Sequence, residues 1–148
     1  MELLSVLIEK KDYLGVYYYL FRLQCLSGCR VSEALSVLSG DVAVNGSILI
    51  RGLKGSDDRV FYDSEIALFA INRSKQLKEL FYGCNRFSAY RHLKNIGIGT
   101  QKKGRERMSI THIFRNEYIK LSKSLTTDAR VIANSVGHKS VKSQEYYE

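Results

Sequence analysis

The chain has 148 residues, about one domain by length, and 45% of them are hydrophobic, so it can bury a core and is not a disordered tail. Lys and Arg number 23 against 15 Asp and Glu, a formal net charge of +8. This charge favours a polyanionic partner, nucleic acid or an acidic membrane surface, and argues against an acidic metal-chelating protein. No apolar run approaches the roughly 18 residues that a membrane span needs, so we expect a soluble chain. No membrane is among the partners that we predict for it.

The cysteines predict a reducing compartment. Cys25, Cys29 and Cys84 are an odd number without paired CxxC motifs, and we interpret them as reduced thiols. Cys25 and Cys29 lie one helical turn apart and could meet a metal, but packing in the core is the favoured interpretation. The N-terminus lacks the order of a signal peptide, and a cytoplasmic location follows as a prediction.

The N-terminal third is predicted to be helical, with a short helix over residues 3–8 and a longer one that ends at Ser27-Gly28. Apolar residues at helical spacing give the longer helix one buried face: Leu14, Tyr17, Tyr18, Phe21 and Cys25. A further short helix is predicted over residues 31–38, closed by Ser39-Gly40.

The middle of the chain changes to strand periodicity. Residues 42–44 and 47–51 flank Asn45-Gly46, which predicts a hairpin with a type I′ turn. A second turn over residues 54–58 leads to a strand over residues 59–62. A small three-stranded antiparallel sheet is therefore expected.

Helices return after the sheet. Ser64 is the predicted N-cap of a helix whose buried face runs to Phe81, with a break near Asn72. Further helices are predicted over residues 88–95, 111–122 and 128–136, with a last turn from Ser140. The predicted fold class is mainly α with a small antiparallel sheet, an α+β domain.

One candidate anion site lies at the start of the third predicted helix. Arg30 stands where backbone N–H groups and the helix dipole favour an anion, and its planar guanidinium matches phosphate. Glu33 follows three residues later and could hold that guanidinium. A surface Arg–Glu pair on a helix is the ordinary alternative.

Three other places carry chemistry-bearing side chains. Lys54 stands in a tight hairpin turn, and His112 and Arg115 share one helix face three residues apart. His138 follows Val136-Gly137, and two tyrosines close the chain. Each of these signals is ordinary alone, but together they could surround a phosphodiester, move protons and attack it. No acidic pair for Mg²⁺, HExxH or GxxxxGK[ST] motif is present, so we expect no metal and no cofactor.

The order and spacing of these motifs resemble the catalytic domain of the tyrosine recombinase, or phage integrase, family. The segment SGCRVSEAL resembles the first arginine box, LKGSDDRVF the hairpin with the mobile lysine, THIFRN the histidine–arginine box, and VGHKSVKSQEYY the terminal box. The resemblance covers residues 13–147. It implies catalytic roles for six residues: Arg30, Lys54, His112, Arg115, His138 and Tyr147.

The resemblance also implies supporting residues and departures. Glu33 would support the first arginine, and Asn116 stands where many members have a second histidine. Tyr147 follows His138 by nine positions, as the family's nucleophile does, so Tyr146 is the weaker candidate. We expect a single catalytic domain over residues 1–148, with the N-terminal DNA-clamping domain absent and the C-terminal exchange helix absent or truncated.

The activity implied is cleavage and rejoining of DNA strands through a 3′-phosphotyrosyl intermediate, without metal or ATP. Double-stranded DNA is the expected partner, with self-assembly into a tetrameric synapse, in the nucleoid of a prokaryotic or viral host. Independently of the resemblance, one basic loop is a candidate contact to the DNA backbone: Lys102, Lys103, Arg105 and Arg107.

Three alternative hypotheses about the function stay open. A type IB topoisomerase-like enzyme would use the same residues but rejoin the same strand. A non-catalytic DNA-binding module derived from an integrase would keep the charge without the cleavage. A basic RNA-binding or ribosomal-type protein would explain the charge alone.

Overall fold

The computed structural model describes residues 3–98, 113, 114, 117–119 and 122. The elements, in chain order, are α1 (Leu3–Glu9), α2 (Lys11–Leu14), α3 (Val16–Ser27), α4 (Val31–Leu35), a 3₁₀ turn (Ser39–Asp41), β1 (Ile48–Ile50), β2 (Arg59–Phe61), α5 (Ser64–Ser74) and α6 (Arg86–Asn95). The predicted fold class, mainly α with a small antiparallel sheet, is confirmed. Within the described part of the chain, no helix is long and apolar enough to cross a membrane.

Helix α3 is the centre of the core. The single helix predicted through Leu14 is interrupted at Gly15, so Leu14 ends α2 and the other four predicted residues lie on α3. All five are buried, and Leu20, Leu23 and Gln24 on the other sides of α3 are buried too. A helix buried on several sides must be covered by several elements. Apolar residues of α1, β1, α5 and α6 supply that cover, and both Cys25 and Cys29 are packed in this core. Burial raises the pKa of the Cys25 thiol to about 11, which keeps it protonated.

The sheet has two strands in the described residues, where three were predicted. Strands β1 and β2 pair antiparallel, with Ile48 opposite Phe61 and Ile50 opposite Arg59. The predicted first strand contributes only a single bridge between Val42 and Ile48. The 3₁₀ turn before Val42 and the turn that begins at Ala43 leave that segment too short to form a strand.

The predicted type I′ turn at Asn45-Gly46 is also wrong. Gly46 has a φ of +93°, but Asn45 does not have a positive φ. The turn is closed by the Gly46 N–H donating to the Ala43 carbonyl at 2.9 Å, so Val44 and Asn45 are its central residues. The side chain of Asn45 instead accepts a hydrogen bond from the Ser47 N–H at 2.9 Å. An Asx turn of this kind satisfies the backbone without the steric cost of a left-handed asparagine.

Helix α5 starts and ends earlier than predicted. Its N-cap is Asp63, whose carboxylate accepts from the Ile66 N–H at 3.1 Å, whereas Ser64 is the first helical residue. The helix ends at Ser74 because the chain after it pairs with the segment after α4. The Ser39 N–H donates to the Lys78 carbonyl at 2.8 Å, and the Leu80 N–H donates to the Val37 carbonyl at 3.1 Å. The same pairing explains why α4 ends at Leu35 rather than at residue 38.

A stacked aromatic pair connects the later part of the chain to the core. Residues 113 and 114 are helical, and the buried ring of Phe114 stacks on Phe21 of α3 with 5.3 Å between ring centroids. The other described residues of the helix predicted over 111–122 are also helical. The helices predicted over residues 128–136 and from Ser140 lie outside the described residues.

Candidate active site

The buried carboxylate of Glu33 is the centre of the candidate site. Glu33 is the third residue of α4, and its Oε1 accepts from the backbone N–H of Arg30 at 2.9 Å. This contact is the acidic half of a capping box, and it fixes the start of the helix. The Glu33 side chain is fully buried, so its charge must be satisfied by protein groups.

The second oxygen of Glu33 reaches the hairpin between β1 and β2. The backbone N–H of Leu53 donates to Oε2 at 3.1 Å, and Nη1 of Arg30 lies 3.8 Å from the same oxygen. Nη2 of Arg59 donates to Oε1 at 3.0 Å. One carboxylate thus joins the start of α4, the hairpin and β2.

Burial raises the pKa of Glu33, but its hydrogen-bond donors oppose this effect. The backbone N–H groups of Arg30 and Leu53 and the positive charge of Arg59 together leave the pKa below its ordinary value of 4.5. Glu33 is therefore ionised at neutral pH, and the carboxylate is an acceptor only.

A direct contact joins the side chain of Arg30 to the hairpin. Nη1 of Arg30 donates to Oγ of Ser56 at 2.6 Å. Ser56 lies two residues after Lys54, so the turn that carries the lysine is held beside the guanidinium. The Arg30 side chain is 19% exposed, which leaves part of it open to an anion from solvent.

The turn at Lys54 has the geometry that was predicted for Asn45-Gly46. Lys54 has a φ of +54° and Gly55 a φ of +85°, the two positive angles of a type I′ turn. The Ser56 N–H closes it by donating to the Leu53 carbonyl at 3.1 Å. Lys54 is the only non-glycine residue with positive φ in the described ranges, and its side chain is exposed.

The structure therefore brings Arg30, Glu33 and the Lys54 hairpin together. The remaining predicted residues lie outside the described ranges: His112, Arg115, Asn116, His138 and Tyr147, and the basic loop with Lys102, Lys103, Arg105 and Arg107. Among the residues that are described, no three His, Cys, Asp or Glu side chains gather into a metal site.

Comparison with known proteins gives one curated relative and several solved structures. The tyrosine recombinase XerA of Saccharolobus solfataricus is 26% identical over 134 residues, which cover 86% of this chain and 44% of XerA. The catalytic domain of bacteriophage HP1 integrase superposes with a TM-score of 0.68 at 17% identity, over 96% of this chain and 80% of that domain. The chain has the fold of a tyrosine recombinase catalytic domain.

The XerH site-specific recombinase, solved in a pre-cleavage complex with its difH substrate, has the same tyrosine recombinase fold. It matches with a TM-score of 0.67 and 23% identity, over 99% of this chain and 48% of XerH. This chain thus spans about half the length of the XerA and XerH recombinases. No family model matches it. The resemblance that the motif order indicated is confirmed by these comparisons.

Two residues of the site were missed at the level of sequence: Ser56 and Arg59. Strand alternation carries a signal for Arg59, because it shares a sheet face with Phe61 while Val60 faces outward and is 71% exposed. An arginine on the inner face of a strand requires a buried acceptor. Ser56 had no comparable signal, since a serine in a turn is ordinary.

Helix α6 was also overlooked as a basic surface. Its sequence contains Arg86, Arg91 and Lys94 without any acidic residue, and all three side chains are exposed. The N-cap Asn85, whose side chain accepts from the Ser88 N–H at 2.8 Å, starts this helix. Like the loop over residues 102–107, this helix carries an excess of positive charge.

Proposed function

We propose that this chain is the strand-cleaving domain of a site-specific DNA recombinase, which cuts and rejoins DNA through a 3′-phosphotyrosyl intermediate. The observation that carries the proposal is the anchoring of both Arg30 and the Lys54 hairpin on the buried Glu33. This arrangement lies in a chain with the tyrosine recombinase fold, and its residues belong to two of the four motifs that resemble that family.

The described residues are suited to bind a phosphodiester and release an alcohol. Arg30 presents a guanidinium that is partly open to solvent and would neutralise a non-bridging oxygen. Lys54, on an exposed turn beside it, would donate a proton to the leaving 5′-oxygen. In this mechanism Glu33 does not contact the substrate. It positions Arg30 and the Lys54 hairpin through its hydrogen bonds to the backbone of Arg30 and Leu53.

The other half of the proposed chemistry rests on residues outside the described ranges. The Tyr147 oxygen would attack phosphorus, forming the 3′-phosphotyrosyl bond as the bond to the 5′-oxygen breaks. Its proton would pass to His112 or to solvent, while Arg115 and His138 stabilise the developing charge. The contact of Phe114 with α3, the helix that leads toward Arg30, supports placing the His112–Arg115 motif near the same site.

Double-stranded DNA is the proposed partner. The net charge of +8 and the basic surface of α6 support it, and XerH, which shares the fold, was solved on a DNA substrate. The action would take place on the DNA of a prokaryotic or viral host. Assembly of several copies on the DNA is expected by analogy and remains a prediction.

A covalent trapping assay tests the proposal. The protein is incubated in EDTA with a pool of nicked duplexes of randomised sequence, from which the 5′-hydroxyl fragment can diffuse away, and adducts are separated on a denaturing gel. We expect an adduct with the unaltered protein and with Tyr146→Phe, and none with Tyr147→Phe, because only Tyr147 has the spacing of the nucleophile.

Other outcomes would point to different functions. Loss of the adduct in Tyr146→Phe alone would move the nucleophile by one residue. Relaxation of a supercoiled plasmid without recombinant products would favour a type IB topoisomerase-like enzyme. Salt-sensitive DNA binding without any adduct would favour a non-catalytic DNA-binding module.

A further inference from the structure

Arg59 is an inward-facing cation for which the proposed chemistry has no use. It lies on β2 opposite Ile50, and only 12% of its side chain is exposed. Its Nη2 donates to Oε1 of Glu33 at 3.0 Å, and its Nη1 donates to the Asp57 carbonyl at 2.9 Å. Removing a guanidinium from water costs free energy even when the group is paired, which raises the question of what role this contact performs.

That role follows from what Glu33 holds. Each of its two oxygens accepts one backbone N–H, from Arg30 on one side and from Leu53 on the other. Arg30 is the proposed phosphate-binding residue, and Leu53 directly precedes Lys54. A rotation of this one carboxylate would therefore displace both groups of the proposed site.

Among the described residues, Arg59 is a cation that hydrogen-bonds to that carboxylate at 3.0 Å. Nη1 of Arg30 is farther away, at 3.8 Å, and is already bonded to Ser56. We propose that Arg59 is a positioning residue of the cleavage site, which fixes the Glu33 carboxylate so that it aligns Arg30 and the Lys54 hairpin together. The proposal rests on the proposed function and adds a residue to its mechanism.

A direct contact from Arg59 to DNA is the alternative that must be excluded. Arg59 lines a cavity of about 280 Å³ together with Ile50, Phe61 and Tyr118. Its Nε is buried and has no hydrogen-bond partner within the part of the chain that the structure describes. A phosphate oxygen could in principle reach such a donor, so the experiment measures phosphate contacts as well as cleavage.

The test uses three variants: Arg59→Met, Glu33→Gln and the double variant that combines them. The control is Lys78→Met, which removes one positive charge from an exposed side chain. The first measurement is hydrogen exchange of single backbone amides, with no DNA present. In Arg59→Met we expect the Leu53 amide to exchange at least about tenfold faster, while the amides of Leu20 and Leu23 in α3 keep their protection. Lys78→Met should change neither.

The second measurement is the single-turnover rate of adduct formation. Each single variant should slow it at least about tenfold, and the double variant should be no slower than the slower single one, because Arg59 acts through Glu33. The slope of log affinity against log salt should stay unchanged. Two results would overturn the proposal in favour of a direct phosphate contact. One is a double variant in which the rate reductions of the two single variants multiply. The other is an Arg59→Met salt slope that is shallower by about 0.9 while the Leu53 amide stays protected.

Two further arms keep the proposal falsifiable. If Arg59→Met does not fold, Arg59→Lys is used, which retains the cation but lacks the planar fork, and its Leu53 protection and adduct rate must fall together. A slower rate with unchanged protection overturns the proposal. If the unaltered protein forms no adduct, the proposed function fails, and the Leu53 exchange alone decides whether Arg59 positions Glu33 and the hairpin.

Discussion

At the scale of single residues, the backbone of Lys54 is strained at the position where chemistry is proposed. A lysine with a φ of +54° brings its Cβ too close to the following carbonyl oxygen, at a cost of about 1–2 kcal/mol. Glycine, asparagine or aspartate would occupy this position with less strain. We interpret the lysine at this strained position as a hypothesis that its amine has a function, which the next two experiments test.

Lys54→Gly and Lys54→Ala separate the strain from the chemistry. Both remove the amine, but only glycine relieves the strain, so in urea unfolding the glycine variant should be more stable than the alanine variant by about 1 kcal/mol. Both should slow adduct formation on ordinary DNA by the same factor. Equal stabilities would mean that the turn relaxes around any side chain.

A sulfur-substituted substrate tests the role of Lys54 as an acid. A duplex with a 5′-bridging sulfur releases a thiolate. A thiol has a pKa of about 8.5, so the thiolate is a weak enough base to leave without receiving a proton. Both Lys54 variants should recover the rate of the unaltered protein on this substrate. A rate that stays low would assign Lys54 to phosphate binding instead.

From the lowered pKa of Glu33 we predict how the free energy of unfolding depends on pH. Because its folded pKa lies below 4.5, its contribution is fully present above that pH and is lost as the pH falls through the folded value. Glu33→Gln leaves the buried Arg59 without an anion and should lower the free energy of unfolding by about 3 kcal/mol at neutral pH.

Urea unfolding at neutral pH and at about pH 3 checks this prediction. The difference between the unaltered protein and Glu33→Gln should shrink at the lower pH, where Glu33 itself begins to be protonated. Glu9→Gln, at an exposed position of α1, is the control and should be neutral at both values. A constant difference would show that the charge of Glu33 is not what stabilises the fold.

At the scale of elements, the hairpin between β1 and β2 depends on a close approach at Gly52. A Cβ added there would overlap the backbone carbonyl of Ser56, the residue that contacts Arg30. The Gly52 N–H also donates to the Asp58 carboxylate at 2.8 Å, which ties the two arms of the hairpin together. The sequence places a glycine here because the arms cross at backbone contact.

Gly52→Ala should therefore open the hairpin. We expect a loss of about 2 kcal/mol in urea unfolding together with slower adduct formation, because Ser56 and Leu53 would be displaced from Arg30 and Glu33. Gly40→Ala is the control, since a Cβ there meets no atom within 4 Å. An unchanged adduct rate in Gly52→Ala would mean that hairpin position does not limit cleavage.

The elements were predictable to different degrees. The helical periodicity before Gly28 located α3 and its buried face, because spacing along one helix is local information. The end of α5 was missed because Lys78 and Leu80 pair with Ser39 and Val37, which are distant in sequence. The type I′ turn was predicted at Asn45-Gly46, yet it lies at Lys54-Gly55, where tertiary contacts impose a positive φ on a lysine.

At the scale of the whole molecule, the charge of +8 predicts DNA binding that weakens steeply with salt. Each phosphate contact releases counterions and contributes about −0.9 to the slope of log affinity against log salt. Fluorescence anisotropy with a labelled duplex should give a slope that reflects several contacts. A flat response would contradict the assignment to DNA.

The basic loop supplies a variant for that measurement. Replacement of its four cations by glutamine should make the slope shallower by about 0.9 for each lost contact. The loop consists of Lys102, Lys103, Arg105 and Arg107. Lys10→Gln, at an exposed position beside α1, is the control for loss of charge alone and should leave the slope unchanged.

The sequence by itself determined the fold class, the buried face of α3 and the order of motifs that resembles tyrosine recombinases. It also located Arg30, Glu33 and Lys54, because side-chain type and short spacing are visible along the chain. Only the tertiary structure decided that Glu33 is fully buried and shared between α4, the hairpin and Arg59. Such sharing joins residues 20 and 26 positions apart, and it depends on strand register and hairpin geometry, which local sequence does not encode.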